Sequence, residues 1–108
     1  MKIDFVKVEV LIAEEYISVL REHLHEHGFL NYGNQDNVLS YAKYKHYSRP
    51  LEFASLEMPV PIESECLQTV CKVEFRCMVH QVEKVKKIIH DLHPSEYPVM
   101  YFIPILDE

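Results

Sequence analysis

Glycine is scarce in this sequence, since only Gly28 and Gly33 occur among 108 residues. A loop that cradles phosphate groups needs several glycines at fixed spacing, so a glycine-rich nucleotide site is excluded. Basic residues are also few, 11 against 17 acidic ones, which gives a formal net charge of -6. Without a basic surface to neutralise phosphates, nucleic acid is not expected as a partner, and an anionic membrane surface is disfavoured for the same reason.

Cysteine and long apolar runs are scarce as well. Cys66, Cys71 and Cys77 are an odd number and contain no C-x-x-C pair, which fits neither a disulfide framework nor a zinc knuckle, so we expect reduced thiols. No apolar run reaches the roughly 20 residues that cross a bilayer, and Asp4 stands where a signal peptide would carry apolar residues. We therefore expect a cytoplasmic chain that folds as a single domain over residues 1–108.

The apolar pattern indicates six elements. Residues 6–12 and 69–79 alternate apolar and polar side chains, as strands with one buried face do. Residues 14–27 and 81–92 have the helical period and end at Gly28 and before Pro94. Residues 38–47 and 97–105 are rich in β-favouring residues. The order βαββαβ predicts an α+β ferredoxin-like sandwich, a four-stranded antiparallel sheet with two helices on one face. Residues 48–68 form a long connection, whose length is a functional hint.

The sheet face turned away from the helices is expected to be charged, with aromatic side chains among the charges. It is either a solvated face or a polar interface between subunits. The residues assigned to it are Lys7, Glu9, Tyr41, Lys43, Lys45, Lys72, Glu74, Arg76 and Tyr101.

Catalytic and metal-binding patterns are weak. Cys66 has no basic neighbour that would activate a thiolate, and no G-x-S-x-G elbow is present. His23 and His27 stand four apart on the first predicted helix, a spacing that can present two imidazoles to one metal ion. The structural alternative is favoured, because His27 falls on the predicted core stripe at the helix end. We therefore expect no enzyme activity and leave the identity of any cofactor open.

Three segments carry a resemblance to a known family. They are YGNQDN after the first helix, YSRPLEFAS after the second strand and HPSEYPVMY after the second helix. Together they resemble the GNYD, RPLEGA and HPYEEPAYD segments of the domain inserted in the dinuclear-metal-centre hexameric proteins, the YqfO family. That domain is similar in fold to CutA and PII signalling proteins. The sequence departs from the family pattern at Phe53, Tyr97 and Tyr101.

The resemblance implies a non-enzymatic, trimeric CutA/PII-like module that senses or binds a small ligand or a metal ion. The alternative is a structural or assembly domain whose 48–68 loop docks on a partner protein. The family's dinuclear ligands lie in flanking halves that this sequence does not contain, so no metal hydrolase is implied. The candidate ligand-binding residues carried over by position are Asn34, Asp36, Arg49, His93 and Glu96.

The candidate residues are expected to lie together. If the loop after the first helix and the joint after the second leave the same end of the sandwich, Asn34 and Asp36 lie near His93 and Glu96. Arg49 is the one cation of the matched set, and we expect it to pair with Asp36 or Glu96 and hold the long loop in place. The alternative is an exposed arginine of little energetic weight.

Overall fold

The computed structural model of the protein describes residues 3–48 and 67–106. Arg49, Cys66 and nearly all of the predicted 48–68 connection lie outside the described residues. The segments that form the sheet and the helices are within them.

Four strands and two helices form the described part of the chain. They are β1 (Phe5–Ile12), α1 (Ile17–Glu26), β2 (Ser40–Tyr47), β3 (Leu67–Met78), α2 (Val82–Leu92) and β4 (Met100–Ile105). A short 3-10 helix leads into each α-helix, Glu14–Tyr16 before α1 and Val79–Gln81 before α2. The strand order is β2-β3-β1-β4, and every neighbouring pair is antiparallel. The predicted α+β ferredoxin-like sandwich is confirmed.

The core lies between the helices and one face of the two central strands. In β1 every second side chain is buried, and the same alternation runs along β3. The helices close this face with residues at helical spacing. The buried side chains are Val6, Val8, Val10 and Ile12 from β1, Cys71, Val73, Phe75 and Cys77 from β3, Ile17, Leu20 and Leu24 from α1, and Val85 and Ile89 from α2, with Phe29 and Leu30 from the loop after α1.

Both helices end as the sequence predicts. After α1 the chain turns at Gly28, whose φ of +75° is in the left-handed region. The Gly28 N–H donates to the His25 carbonyl at 2.9 Å and the Phe29 N–H donates to the Leu24 carbonyl at 3.0 Å, the paired bonds of a Schellman motif. After α2 the backbone of His93 becomes extended, with ψ of 134°, directly before Pro94.

The side assigned to part of β2 was wrong. Tyr41 lies opposite Val73 and Lys43 opposite Cys71, so both share the face that carries the helices, as does Lys45 by alternation. The pattern misled because β2 is an edge strand on which every side chain except the half-buried His46 is exposed, so polar residues occur on both of its faces. The opposite edge strand, β4, contains Pro104 opposite Val6.

Candidate functional site

The predicted ligand-binding residues fall at opposite ends of the sheet. β3 is antiparallel to β1, so α1, which follows β1, and α2, which follows β3, finish at opposite ends. Tyr32, at the start of the loop with Asn34 and Asp36, contacts Arg76, which pairs with Lys7 near the start of β1, whereas His93 bonds to Leu11 at the far end of β1. The expectation that these groups lie at one level was wrong, because it took the two helices as ending together.

Asn34 and Asp36 belong to an exposed turn. Tyr32 and Gln35 exchange two backbone hydrogen bonds of 2.9 Å, and this small bridge places Gly33 and Asn34 at its tip. The Asp36 carboxylate lies 4.0 Å from the ring Nε2 of His25, a contact that is an ion pair only when the imidazole is protonated. The expected partner Arg49 lies outside the described residues.

His93 joins the end of α2 to the end of β1. Its Nδ1 accepts a hydrogen bond of 3.0 Å from the Ser95 N–H, so the ring proton is on Nε2, which donates to the Leu11 carbonyl at 2.6 Å. Both ring nitrogens are therefore engaged within the chain. Glu96, in the same joint, is exposed. The role of the five residues in ligand binding stays a prediction.

The outer face of the sheet, the face turned away from the helices, carries a closed set of ion pairs that we call the ionic ring: Lys7, Glu9, Lys72 and Glu74. Lys7 Nζ lies 3.1 Å from Glu9 and 3.2 Å from Glu74. Lys72 Nζ lies 3.4 Å from each of the same two carboxylates. Each charge thus has two partners of opposite sign, and the ring as a whole is neutral.

The ring shifts the pKa values of Glu9, Lys7 and Lys72. The hydrogen bond from Lys7, reinforced by Lys72, lowers the pKa of Glu9 below its usual 4.5. Hydrogen bonds to Glu9 and Glu74 raise the pKa of Lys7. For Lys72, partial burial acts downward, but the bonds to Glu74 and Glu9 together outweigh it and raise the pKa. All of these groups are charged at neutral pH.

Aromatic and apolar side chains surround the ionic ring. Tyr44 lies over the Lys72 ammonium, which is 5.4 Å from the ring centroid. Tyr44, His46 and Tyr101 line a cleft of about 250 Å³ that has Glu9 and Lys72 in its walls. Tyr101 and Ile103 in β4 are 59% and 42% exposed. The outer face is therefore an aromatic surface around paired charges.

Arg76 contacts two aromatic rings at one end of the outer face. Its guanidinium carbon is 4.2 Å from the ring centroid of Phe5 and 4.0 Å from that of Tyr32. Tyr32 comes from the loop after α1, so this stack fixes the loop against the sheet. The sequence placed Arg76 on the outer face but gave no sign of the stack, although Tyr32 begins the first of the three matched segments.

The thiols of Cys71 and Cys77 are buried, and the histidine pair bonds to the backbone of its own helix. Burial and the neighbouring Glu14 carboxylate raise the pKa of the Cys71 thiol, and burial raises the pKa of Cys77 to about 11. His23 and His27 are exposed, which corrects the placement of His27 on the core stripe, and both bond through Nδ1 to carbonyls four residues earlier.

Within residues 3–48 and 67–106, no group of three or more His, Cys, Asp or Glu side chains is placed to hold a metal ion. No helix of this part of the chain is long and apolar enough to span a membrane.

Comparison with known proteins supports the fold and the resemblance. No protein-family model matches the chain. The GTP cyclohydrolase 1 type 2 homolog of Staphylococcus epidermidis is 29% identical over 104 residues, which are 96% of this chain and 28% of that protein. A Bacillus cereus protein related to NIF3 superposes with a TM-score of 0.79 at 19% identity, over 97% of this chain and 26% of that one. The chain thus spans about a quarter of the length of these relatives.

A second kind of neighbour matches over most of its own length. The periplasmic divalent cation tolerance protein CutA of Archaeoglobus fulgidus superposes with a TM-score of 0.70 at 11% identity, over 96% of this chain and 86% of that one. At such identities the structures show the fold alone, which is CutA-like. Together with the curated relative, they confirm the resemblance inferred from the three segments.

Proposed function

We propose that the chain is a non-enzymatic, homotrimeric module of the CutA/PII type that works in the cytoplasm and binds a small ligand or a metal ion. The observation that carries the proposal is the outer face of the sheet. The four charges of the ionic ring on this face are already paired within one chain, and large side chains such as Tyr101 and Ile103 are exposed around them. A polar face whose charges are paired can be covered at a lower desolvation cost than one with single charges.

The trimer buries the outer faces of its three sheets against one another. Tyrosine is enriched at protein interfaces because its ring buries a large area while its hydroxyl keeps a hydrogen-bond partner. Tyr44 and Tyr101 supply this chemistry on either side of the ionic ring. A trimer is also what the resemblance to CutA/PII-like domains implies.

The absence of catalysis is proposed for two reasons. The thiols Cys71 and Cys77 have raised pKa values, which opposes nucleophilic chemistry at neutral pH. The relative named a GTP cyclohydrolase 1 type 2 homolog matches this chain over only 28% of its own length. The name therefore describes a protein most of which has no counterpart here.

The test is the mass of the purified chain by native mass spectrometry and light scattering at micromolar concentration. We expect a particle of three times the 12.8 kDa of one chain. Native spectra also report a tightly bound ion or metabolite as additional mass. A monomer would overturn the trimer. A trimer without added mass at any concentration of supplied divalent metal or small anion would instead favour the assembly-domain alternative.

A further inference from the structure

We propose that Arg76 and the loop after α1 form a binding site for a small oxyanion, that is, for a carboxylate or phosphate group. The site is a cleft of about 200 Å³ at the end of the outer face, where the loop meets β3. Polar side chains from the loop and the sheet line it: Lys7, Asn31, Ser40, Glu74 and Arg76. All of them belong to one chain.

The guanidinium of Arg76 is held in position, and no carboxylate of the described residues neutralises it. The ring centroids of Phe5 and Tyr32 lie 4.2 and 4.0 Å from its guanidinium carbon, and these ring contacts leave the N–H groups of Arg76 to make hydrogen bonds elsewhere. No carboxylate of residues 3–48 or 67–106 lies within ion-pair distance of it, and its buried Nε–H has no hydrogen-bond acceptor among those residues. Buried donors in folded proteins are nearly always satisfied, so this one calls for an acceptor, which an oxyanion or a bound water can supply.

The electrostatics of the cleft favour an anion. Glu74 is the one acid of the lining, and both of its carboxylate oxygens are engaged, Oε2 by Lys7 at 3.2 Å and Oε1 by Lys72 at 3.4 Å. The ionic ring is neutral as a unit, so Arg76 adds beside it a positive charge that no carboxylate of residues 3–48 or 67–106 matches. Asn31 and Ser40 add an amide and a hydroxyl that can donate hydrogen bonds.

The shape of the site sets the class of ligand. The edge of a guanidinium presents parallel N–H groups that match two oxygens of a carboxylate or phosphate. A cleft of about 200 Å³ is below the range of roughly 300–1,000 Å³ that holds drug-sized ligands. The ligand is therefore a small anion, not a nucleotide or a peptide.

The experiment is a titration of the full chain, labelled with nitrogen-15, with sodium phosphate and separately with sodium succinate, at constant ionic strength set by sodium chloride. We expect saturable shifts of the Arg76 Nε–H signal and of the Asn31 and Ser40 amide signals in at least one titration. The Nε–H signal of Arg21, an exposed arginine on α1, is the internal control and should not shift. Saturation by succinate alone assigns the site to carboxylates, saturation by phosphate alone to phosphates, and saturation by both to oxyanions in general.

Two matched variants separate anion binding from a purely structural stack. Arg76→Lys keeps the charge but loses the paired N–H groups, so we expect the Asn31 and Ser40 signals no longer to shift on titration. In the control variant Arg21→Lys, both signals should shift as in the unaltered chain. Unchanged shifts in Arg76→Lys would overturn the proposal, as would the absence of any saturable shift in the unaltered chain. The second outcome needs no variant, so it is decisive even if Arg76→Lys fails to fold. It is also the outcome expected if a carboxylate of a second copy already fills the cleft.

Discussion

Glu9 is the least exposed member of the ionic ring, with 16% of its side chain accessible, and it contacts both lysines. An isolated ion pair on a protein surface contributes little, because solvent screens it and two side chains lose freedom. In the ring each side chain is held by two partners, so the ordering of one charge serves two contacts. The contribution of the ring to the free energy of unfolding should therefore be measurable, whereas that of a single surface pair is not.

Glu9→Gln tests this through the pH dependence of stability. The folded state lowers the pKa of Glu9, so its contribution is complete above the pKa of the unfolded chain and is lost as the pH falls through the lower folded value. We expect Glu9→Gln to unfold at lower urea concentration than the unaltered chain at about pH 7, and the difference to be smaller at about pH 3.

Glu83→Gln is the matched control, since Glu83 is 88% exposed and has a single contact, to Lys86 at 3.7 Å. It should leave the urea midpoint unchanged at both values of pH. A Glu9→Gln difference that stayed constant with pH would show that the carboxylate charge is not the cause.

The side-chain hydrogen bond of His93 should make a measurable contribution to the free energy of unfolding. Its Nε2–H bond to the Leu11 carbonyl links residues far apart in the chain, and removal of a partly buried partner costs about 1–3 kcal/mol. We expect His93→Ala to lower the free energy of unfolding by about that amount. His90→Ala, one turn earlier on the exposed side of α2, is the control. Equal losses of unfolding free energy in the two variants would show that the hydrogen bond of His93 does not stabilise the fold.

At the scale of the elements, the end of α1 depends on one backbone conformation. Gly28 has φ of +75°, and a Cβ added there would meet nothing within 4 Å. The cost of a side chain is therefore conformational and not steric crowding by neighbours. We expect Gly28→Ala to destabilise the protein by about 1 kcal/mol in chemical unfolding.

Gly28→Asn should cost less than Gly28→Ala, because asparagine adopts the left-handed region more readily. If the two variants were equally stable, the left-handed turn would not be what limits this position.

The sequence predicted elements whose signals are local. The alternation around Val8 and Val73, the stop at Gly28 and the break before Pro94 each depend on a few neighbouring residues, and all were confirmed. The side chains of β2 were assigned to the wrong face because an edge strand has no buried face to enforce alternation. The Arg76 stack joins Phe5, Tyr32 and Arg76 from separate parts of the chain, and no local pattern indicates such a meeting.

At the scale of the whole molecule, the prediction that the candidate residues lie together failed because it did not take the direction of the strands into account. Asn34 and His93 were placed together from the order of the elements alone, but antiparallel central strands send their loops to opposite ends. Segments that resemble one family pattern therefore need not meet within one chain.

The proposed trimer makes a direct prediction about the outer face. Ile103 on that face and Val19 on α1 are both 42% exposed, so they form a matched pair. A charge buried in an interface without a partner is costly, whereas a charge on a free surface is tolerated. We expect Ile103→Glu to reduce the particle to single chains in light scattering and Val19→Glu to leave it intact. Dissociation by Val19→Glu alone would place the interface on the helices.

Pro104 limits how copies of this chain can join. A sheet grows into a fibre when the free edge of one copy accepts the free edge of the next, and each new strand needs an uninterrupted row of backbone donors. Proline has no N–H, and Pro104 stands within the outermost strand β4. A ladder that propagates from β2 of one copy to β4 of the next would be interrupted at every junction. Pro104 therefore protects the chain against filament growth while leaving contact between sheet faces open to it.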